Sequence, residues 1–232
     1  MLFRVTLQGA EGPTVEGRLQ YRAVSIYSPL QLVRDDPMAF VFLAAALILA
    51  ISLHEFAHAL AADLQGDRLP RAMGRVSLNP TRHLDPLGTL LIFLVGFGWG
   101  KPVEFRRQAL ASPRFGAAIV AMAGPLMNLL LGFVGALGTV WAVRSDNQSL
   151  ALFFYTFLGI NVILAVFNLI PIPPLDGSRL LTIFLPPSKQ HILFFLDRYG
   201  MVILLLLLLF GGTALFEPLI IGVRDFILDV AG

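Results

Sequence analysis

The chain has 232 residues, 56% of them hydrophobic and only 14% charged, with a mean hydropathy of +0.77. Soluble domains carry about a quarter charged residues, so the composition excludes a soluble globular protein, makes nucleic acid an improbable partner and predicts an all-α polytopic membrane protein. The net charge of +2 says little by itself, and the lack of cysteine excludes disulfides and thiolate metal ligands alike.

Residues 1–36 are unlike the rest and are expected to form a small extramembrane unit. Residues 3–8 and 15–22 alternate apolar and polar, and Gly9 to Pro13 between them has turn chemistry. This pattern predicts a β-hairpin. No apolar signal-peptide core precedes residue 37, so the first hydrophobic segment is expected to serve as an uncleaved signal anchor. Residues 37–232 then form the membrane-embedded core.

Asp35-Asp36-Pro37 is a helix start. Residues 37–62 run apolar for 26 residues, or ~39 Å of helix, enough to cross a ~30 Å hydrocarbon core with tilt. The ionisable side chains in this run are His54, Glu55 and His58, in the order H-E-x-x-H. Positions four apart share a helix face, so the two imidazoles can hold one metal ion. The carboxylate after the first ligand can take a proton from water activated there. Such groups are expensive in a spanning helix, which makes them a functional hypothesis by default.

Residues 67–114 are basic, with Arg68, Arg71, Arg75, Arg82, Lys101, Arg106, Arg107 and Arg114. Within them, residues 87–99 are apolar but too short to span, and read as a re-entrant or interfacial segment. Residues 75–80 are expected to form a short strand, able to receive an unwound substrate by edge pairing. A second span is predicted at 115–143 and a third at 150–175, broken near its end by Pro171, Pro173 and Pro174. A fourth is predicted at 199–216. Beyond Pro218 the chain is expected to lie in the membrane interface as an amphipathic helix. The excess of Lys and Arg in 67–114 over the loop 144–149 puts the former in the cytoplasm, and the catalytic residues towards that side.

Catalytic zinc usually takes three protein ligands. A third histidine six residues beyond the second is excluded, because Leu64 stands there. Glu104, His83 and Asp85 are available, but Asp176 suits the topology best. The first and third spans run in the same direction, so His58 and Asp176 reach similar depth. Asp176 also reads as the N-cap of a helix through residues 179–181, the less favoured of its two readings. Asn128, in Ala-Gly-Pro-Leu-Met-Asn at 123–128, either orients substrate and an oxyanion or makes an interhelical hydrogen bond.

H-E-F-A-H at 54–58, A-G-P-L-M-N at 123–128 and P-P-L-D-G at 173–177 together resemble the site-2 protease family of intramembrane zinc metalloproteases. N-P-x-x-H-L-D-P-L-G-T at 79–89 and F-G-W-G-K-P-V at 97–103 are similar to its compact bacterial and archaeal members. The resemblance covers about residues 38–216, without a peptide-binding (PDZ) or CBS domain. It implies one zinc per chain on His54, His58 and Asp176, with Glu55 as general base and Asn128 near the substrate. It also implies cleavage of transmembrane protein substrates within the lipid bilayer of a prokaryotic cell. A membrane zinc hydrolase acting on a lipid or small amide, or a metal-binding transporter or sensor, would use the same ligands. Neither substrate identity nor oligomeric state follows from the sequence.

Overall fold

The computed structural model describes residues 29–95, 98–185, 187–207, 210 and 213–232. The hairpin expected at residues 3–22 lies outside the described residues. Of the N-terminal extension, Pro29–Asp35 forms a short helix, α1, whose buried Leu32 packs beside Leu43 and Ala46.

The long helices follow the apolar runs. Helix α2 spans Pro37–Leu64, capped by the Asp36 carboxylate, which accepts from the Ala39 amide at 3.0 Å. A single turn, Leu69–Ala72, and a 3-10 turn, Pro80–Arg82, lead to α3, Pro86–Val95. Helix α4 is Pro113–Arg144 and α5 is Gln148–Asn168. The Asn147 side chain starts α5 by accepting from the Leu150 amide. Then come α6, Gly177–Phe184, α7, Gln190–Leu207, and α8, Thr213–Ala231. By length and composition α2, α4 and α5 can cross a membrane.

These three helices form the bundle. Lipid gives apolar side chains no reason to leave it, so close packing must come from small residues. Gly132, Gly135, Ala136 and Thr139 supply them on α4, and α5 answers with the fully buried Leu158. The three-residue link between α4 and α5 makes them antiparallel, and α5 then runs alongside α2. The late turns of α2, the early turns of α4 and the residues after α5 therefore meet at one level.

One sequence expectation is corrected. Among the described residues no strand forms at 75–80: Asn79 accepts from the Thr81 amide and nucleates a 3-10 turn instead, with Pro80 lacking a donor. The extended contact that does exist is an isolated antiparallel bridge between Leu84 and Gly100. It brings the two ends of the α3 segment together, so the chain doubles back on itself there. Among the described residues the fourth span expected at 199–216 is not one of the helices long and apolar enough to cross a membrane, and residues 208, 209, 211 and 212 lie outside the described residues. The C-terminal helix packs against the bundle. Ile220 and Ile227 of α8 pack into the α4–α5 core with Val223 and Leu228 beside them. Phe216 meets Phe167, and the Arg144 guanidinium donates to the Gly232 carbonyl at 3.0 Å. A helical-period apolar stripe buries one face of α8, and Glu217, Asp225 and Asp229 stay on the exposed side.

Candidate metal centre

His54 and His58 lie one turn apart on α2, each about 7% exposed, with imidazole centroids 4.6 Å apart. Their Nε2 atoms are 3.0 Å from each other, and each is 3.2 Å from Asp176 Oδ2. Asp176 stands just before α6 but caps nothing: its side chain makes no bond to the helix start. It turns to the histidines, where Oδ2 is buried without a hydrogen-bond partner. Among the described residues these three are the one group of His, Asp and Glu side chains positioned to hold a metal ion.

The protonation of the cluster follows from its outer contacts. His54 Nδ1 faces Asn128 Oδ1 at 2.5 Å, and His58 Nδ1 faces the Val120 carbonyl at 2.7 Å. The carbonyl can only accept. Asn128 uses its NH2 towards Asn161 Oδ1 at 2.8 Å and the Ala50 carbonyl at 3.4 Å, so its oxygen is the atom left for His54. Asn161 is oriented in turn by donating to the Phe157 carbonyl. Both imidazoles therefore carry a proton on Nδ1 and, when neutral, present a lone pair at Nε2. With both imidazoles neutral, two lone pairs and a carboxylate oxygen converge. A cation resolves that convergence. Tetrahedral zinc with ~2.0–2.1 Å bonds puts its ligand atoms about 3.3 Å apart, close to the spacing seen here.

Gly124 makes the approach possible. A Cβ on it would stand 2.4 Å from His58 Nε2 and 2.5 Å from His54 Cε1, so α4 crosses directly over the imidazoles. Beside the cluster, Glu55 keeps 13% of its side chain exposed. It lies beneath Gly100, whose added Cβ would be 3.2 Å from Glu55 Oε1, and 4.0 Å from Arg75 Nη2.

The other candidates are elsewhere. His83 is fully buried with Nε2 on the Ser77 carbonyl at 2.6 Å, and Asp85 accepts from the Gly88 amide at the start of α3. Neither these nor Glu104 belongs to the cluster. Asn128 is fully buried, and its NH2 points to Asn161 and Ala50 rather than to the histidines. Sequence reasoning missed Asn161 and the Val120 carbonyl. Asn161 had a signal, an amide inside an apolar span; the backbone carbonyl had none.

The model of Peptidase family M50 matches residues 42–145 and 139–210. The chain belongs to peptidase family M50. The chain is 35% identical over 213 residues to a Bacillus subtilis (strain 168) protein named "Putative zinc metalloprotease YwhC", covering 88% of this chain and 94% of that one. It is also similar to the Rip2 proteins, named in the same terms. That of Mycolicibacterium smegmatis is 32% identical over 200 residues, covering 83% and 74% of the two chains. That of Mycobacterium tuberculosis (strain H37Rv) is 30% identical over 203 residues, covering 84% and 75%. No solved structure matches. This M50 chain is thus an intramembrane zinc metalloprotease, a multi-pass membrane protein with zinc as its metal.

Proposed function

We propose that His54, His58 and Asp176 hold the zinc, that Glu55 is the general base, and that the substrates are transmembrane segments of other membrane proteins. The observation that carries the assignment is the convergence of two Nε2 atoms and Asp176 Oδ2 within 3.2 Å. Zinc bound there supplies the Lewis acidity that activates water and polarises the scissile carbonyl. Glu55 receives the proton from that water and delivers it to the departing amine nitrogen as the C–N bond breaks, so one water is consumed per peptide bond. Asn128 holds the His54 tautomer, a role its geometry favours over direct contact with an oxyanion.

A helical substrate hides its carbonyls in its own hydrogen bonds, so cleavage requires local unwinding. Small or helix-breaking residues near the cut should favour it. The basic segment 67–114 supports a cytoplasmic placement of the site in a prokaryotic cell membrane, with proteolysis of the regulated intramembrane kind.

The test compares wild type with Glu55→Gln, both purified in detergent. Bound zinc and cleavage of a single-span substrate are measured for each. The expected result is one zinc in both and cleavage by wild type alone, abolished by a chelator and restored by zinc. Cleavage by Glu55→Gln at the wild-type rate would sink the base assignment. Zinc binding that survives Asp176→Ala at full affinity would sink the ligand set. If wild type hydrolyses lipid in protein-free vesicles but no spanning segment, the substrate class is wrong.

A further inference from the structure

Arg75 is the one buried arginine among the described residues, with 3% of its side chain exposed, and nothing in the zinc cluster accounts for it. A buried guanidinium is costly unless its donors are used. Here Nη1 donates to the Arg82 carbonyl and Nη2 to the Lys101 carbonyl, and Nε is left buried without a partner. The two carbonyls belong to different limbs of the chain, one entering the α3 segment and one leaving it. Those limbs are otherwise joined by the Leu84–Gly100 bridge and by the Lys101 amide donating to the His83 carbonyl at 2.7 Å. One planar fork thus closes the mouth of the α3 loop, which a single ammonium cannot do.

What the closed mouth covers is Glu55. Gly100 lies against it so tightly that an added Cβ would stand 2.9 Å from Ile51 Cγ2 and 3.2 Å from Glu55 Oε1. Arg75 Nη2 itself is 4.0 Å from Glu55 Oε2. The clasp and the carboxylate therefore lie side by side, with 3% and 13% of their side chains exposed.

We propose that Arg75 is a positioning residue for cleavage: its fork holds the 82–84 and 100–101 limbs closed over Glu55, and so fixes where an unwound substrate backbone meets that carboxylate. The proposal rests on Glu55 being the base. It makes the loop mouth part of the reaction geometry, set by a side chain that touches neither zinc nor substrate.

The experiment uses the full chain, zinc-loaded in detergent, with the single-span substrate. Arg75→Ala, Arg75→Gln, Arg75→Lys and Gly100→Ala are compared with wild type for zinc content, kcat and KM. Arg75→Ala should keep its zinc and lose kcat by on the order of tenfold to a hundredfold, the usual effect of an ångström-scale misplacement. Millimolar guanidinium should restore much of that loss, and ammonium at equal ionic strength should not. Arg75→Lys keeps the charge but should keep the defect. Gly100→Ala keeps the Arg75 fork but wedges a methyl group between the joined limbs and Glu55, and should lower kcat with zinc retained; this variant decides the matter if the Arg75 variants do not fold. The proposal is overturned if Arg75→Gln or Arg75→Lys turns over like wild type, if guanidinium restores nothing to Arg75→Ala, or if Gly100→Ala has a normal kcat. Glu55→Gln run in parallel separates the two readings. An active Glu55→Gln removes the base assignment; an inactive one beside normal Arg75 variants removes this proposal alone.

Discussion

Gly124→Ala is the sharpest probe of the metal centre, because its consequence can be worked from distances. The added Cβ would lie 2.4 Å from His58 Nε2, 2.5 Å from His54 Cε1 and 2.6 Å from His58 Cε1. Non-bonded heavy atoms rest at about 3.5–4.0 Å, so the overlap is about 1 Å. It falls on rings that cannot step aside, since both are held at Nδ1 by groups on α4 itself, Asn128 Oδ1 and the Val120 carbonyl. Either α4 retreats and carries those acceptors away, or the imidazoles rotate off them. Zinc sites tolerate only about 0.2 Å of error in ligand distance. The expected loss of zinc affinity is on the order of a hundredfold, or about 2.8 kcal/mol, with turnover falling by a similar factor. Competition with a chromophoric chelator reads the affinity, and cleavage of a single-span substrate reads the turnover. Gly159→Ala on α5 is the control: nothing lies within 4 Å of its added Cβ. It should leave zinc and activity unchanged and alter stability by no more than about 1 kcal/mol. If Gly124→Ala binds zinc like wild type and cleaves at the wild-type rate, the close crossing of α4 over α2 is wrong.

Asn128→Ala should weaken zinc binding by about 10- to 100-fold by freeing the His54 tautomer, and Asn161→Ala should do so less, because it acts only through Asn128; chelator competition ranks them, and equal zinc affinity in all three proteins would refute the relay. Asp67 is buried at the end of α2, where it accepts from the Arg106 amide at 2.5 Å, the Arg106 guanidinium at 2.9 Å and the Leu69 amide at 3.0 Å. Asp67→Ala should cost roughly 1.5–3 kcal/mol in thermal unfolding. Burial raises the pKa of Asp67, but the amides of Arg106 and Leu69 and the Arg106 side chain outweigh it and hold the group below 3.8. Its contribution is therefore complete above the unfolded carboxylate pKa and is lost as the pH falls through the lower folded value. Burial lowers the His83 imidazole below 6.5, the Ser77 carbonyl opposing this and the Arg75 charge adding to it. The unfolded chain then takes up a proton that the folded one refuses, so stability is complete above pH ~6.5 and declines below it. The unfolding midpoint should fall from pH ~7 to ~5.5, and less steeply in His83→Gln; identical slopes would refute this.

Much of the site was legible because its signals are local or topological. His54 and His58 declare themselves by a spacing of four in an apolar run. The depth argument led to Asp176, 118 residues further on, because two helices of like direction end at one level; its freedom from capping duty is seen only in three dimensions. Other features depend on contacts that no local pattern encodes. Arg75 reads as one basic residue among eight until two distant carbonyls are found on its fork. Asn128 was legible as important, but its direction depends on Asn161 across the α4–α5 interface. For the C-terminal helix the polar face was legible from its charges, but the packing of Ile220, Val223 and Ile227 against α4 and α5 was not.

The amide relay from Phe157 through Asn161 and Asn128 to His54 has a consequence for biosynthesis. It threads α5, α4 and α2, so the donor geometry exists only after three successive hydrophobic segments have left the translocon and found one another. A nascent chain that stops short of Asn128 carries both histidines and the glutamate, yet lacks the anchor that turns His54 and the third donor proposed at Asp176. Proteolytic competence is thereby withheld until assembly is nearly finished. With the ligand set proposed above, the order of synthesis would keep such a protease harmless during its own insertion into a membrane crowded with other spanning segments.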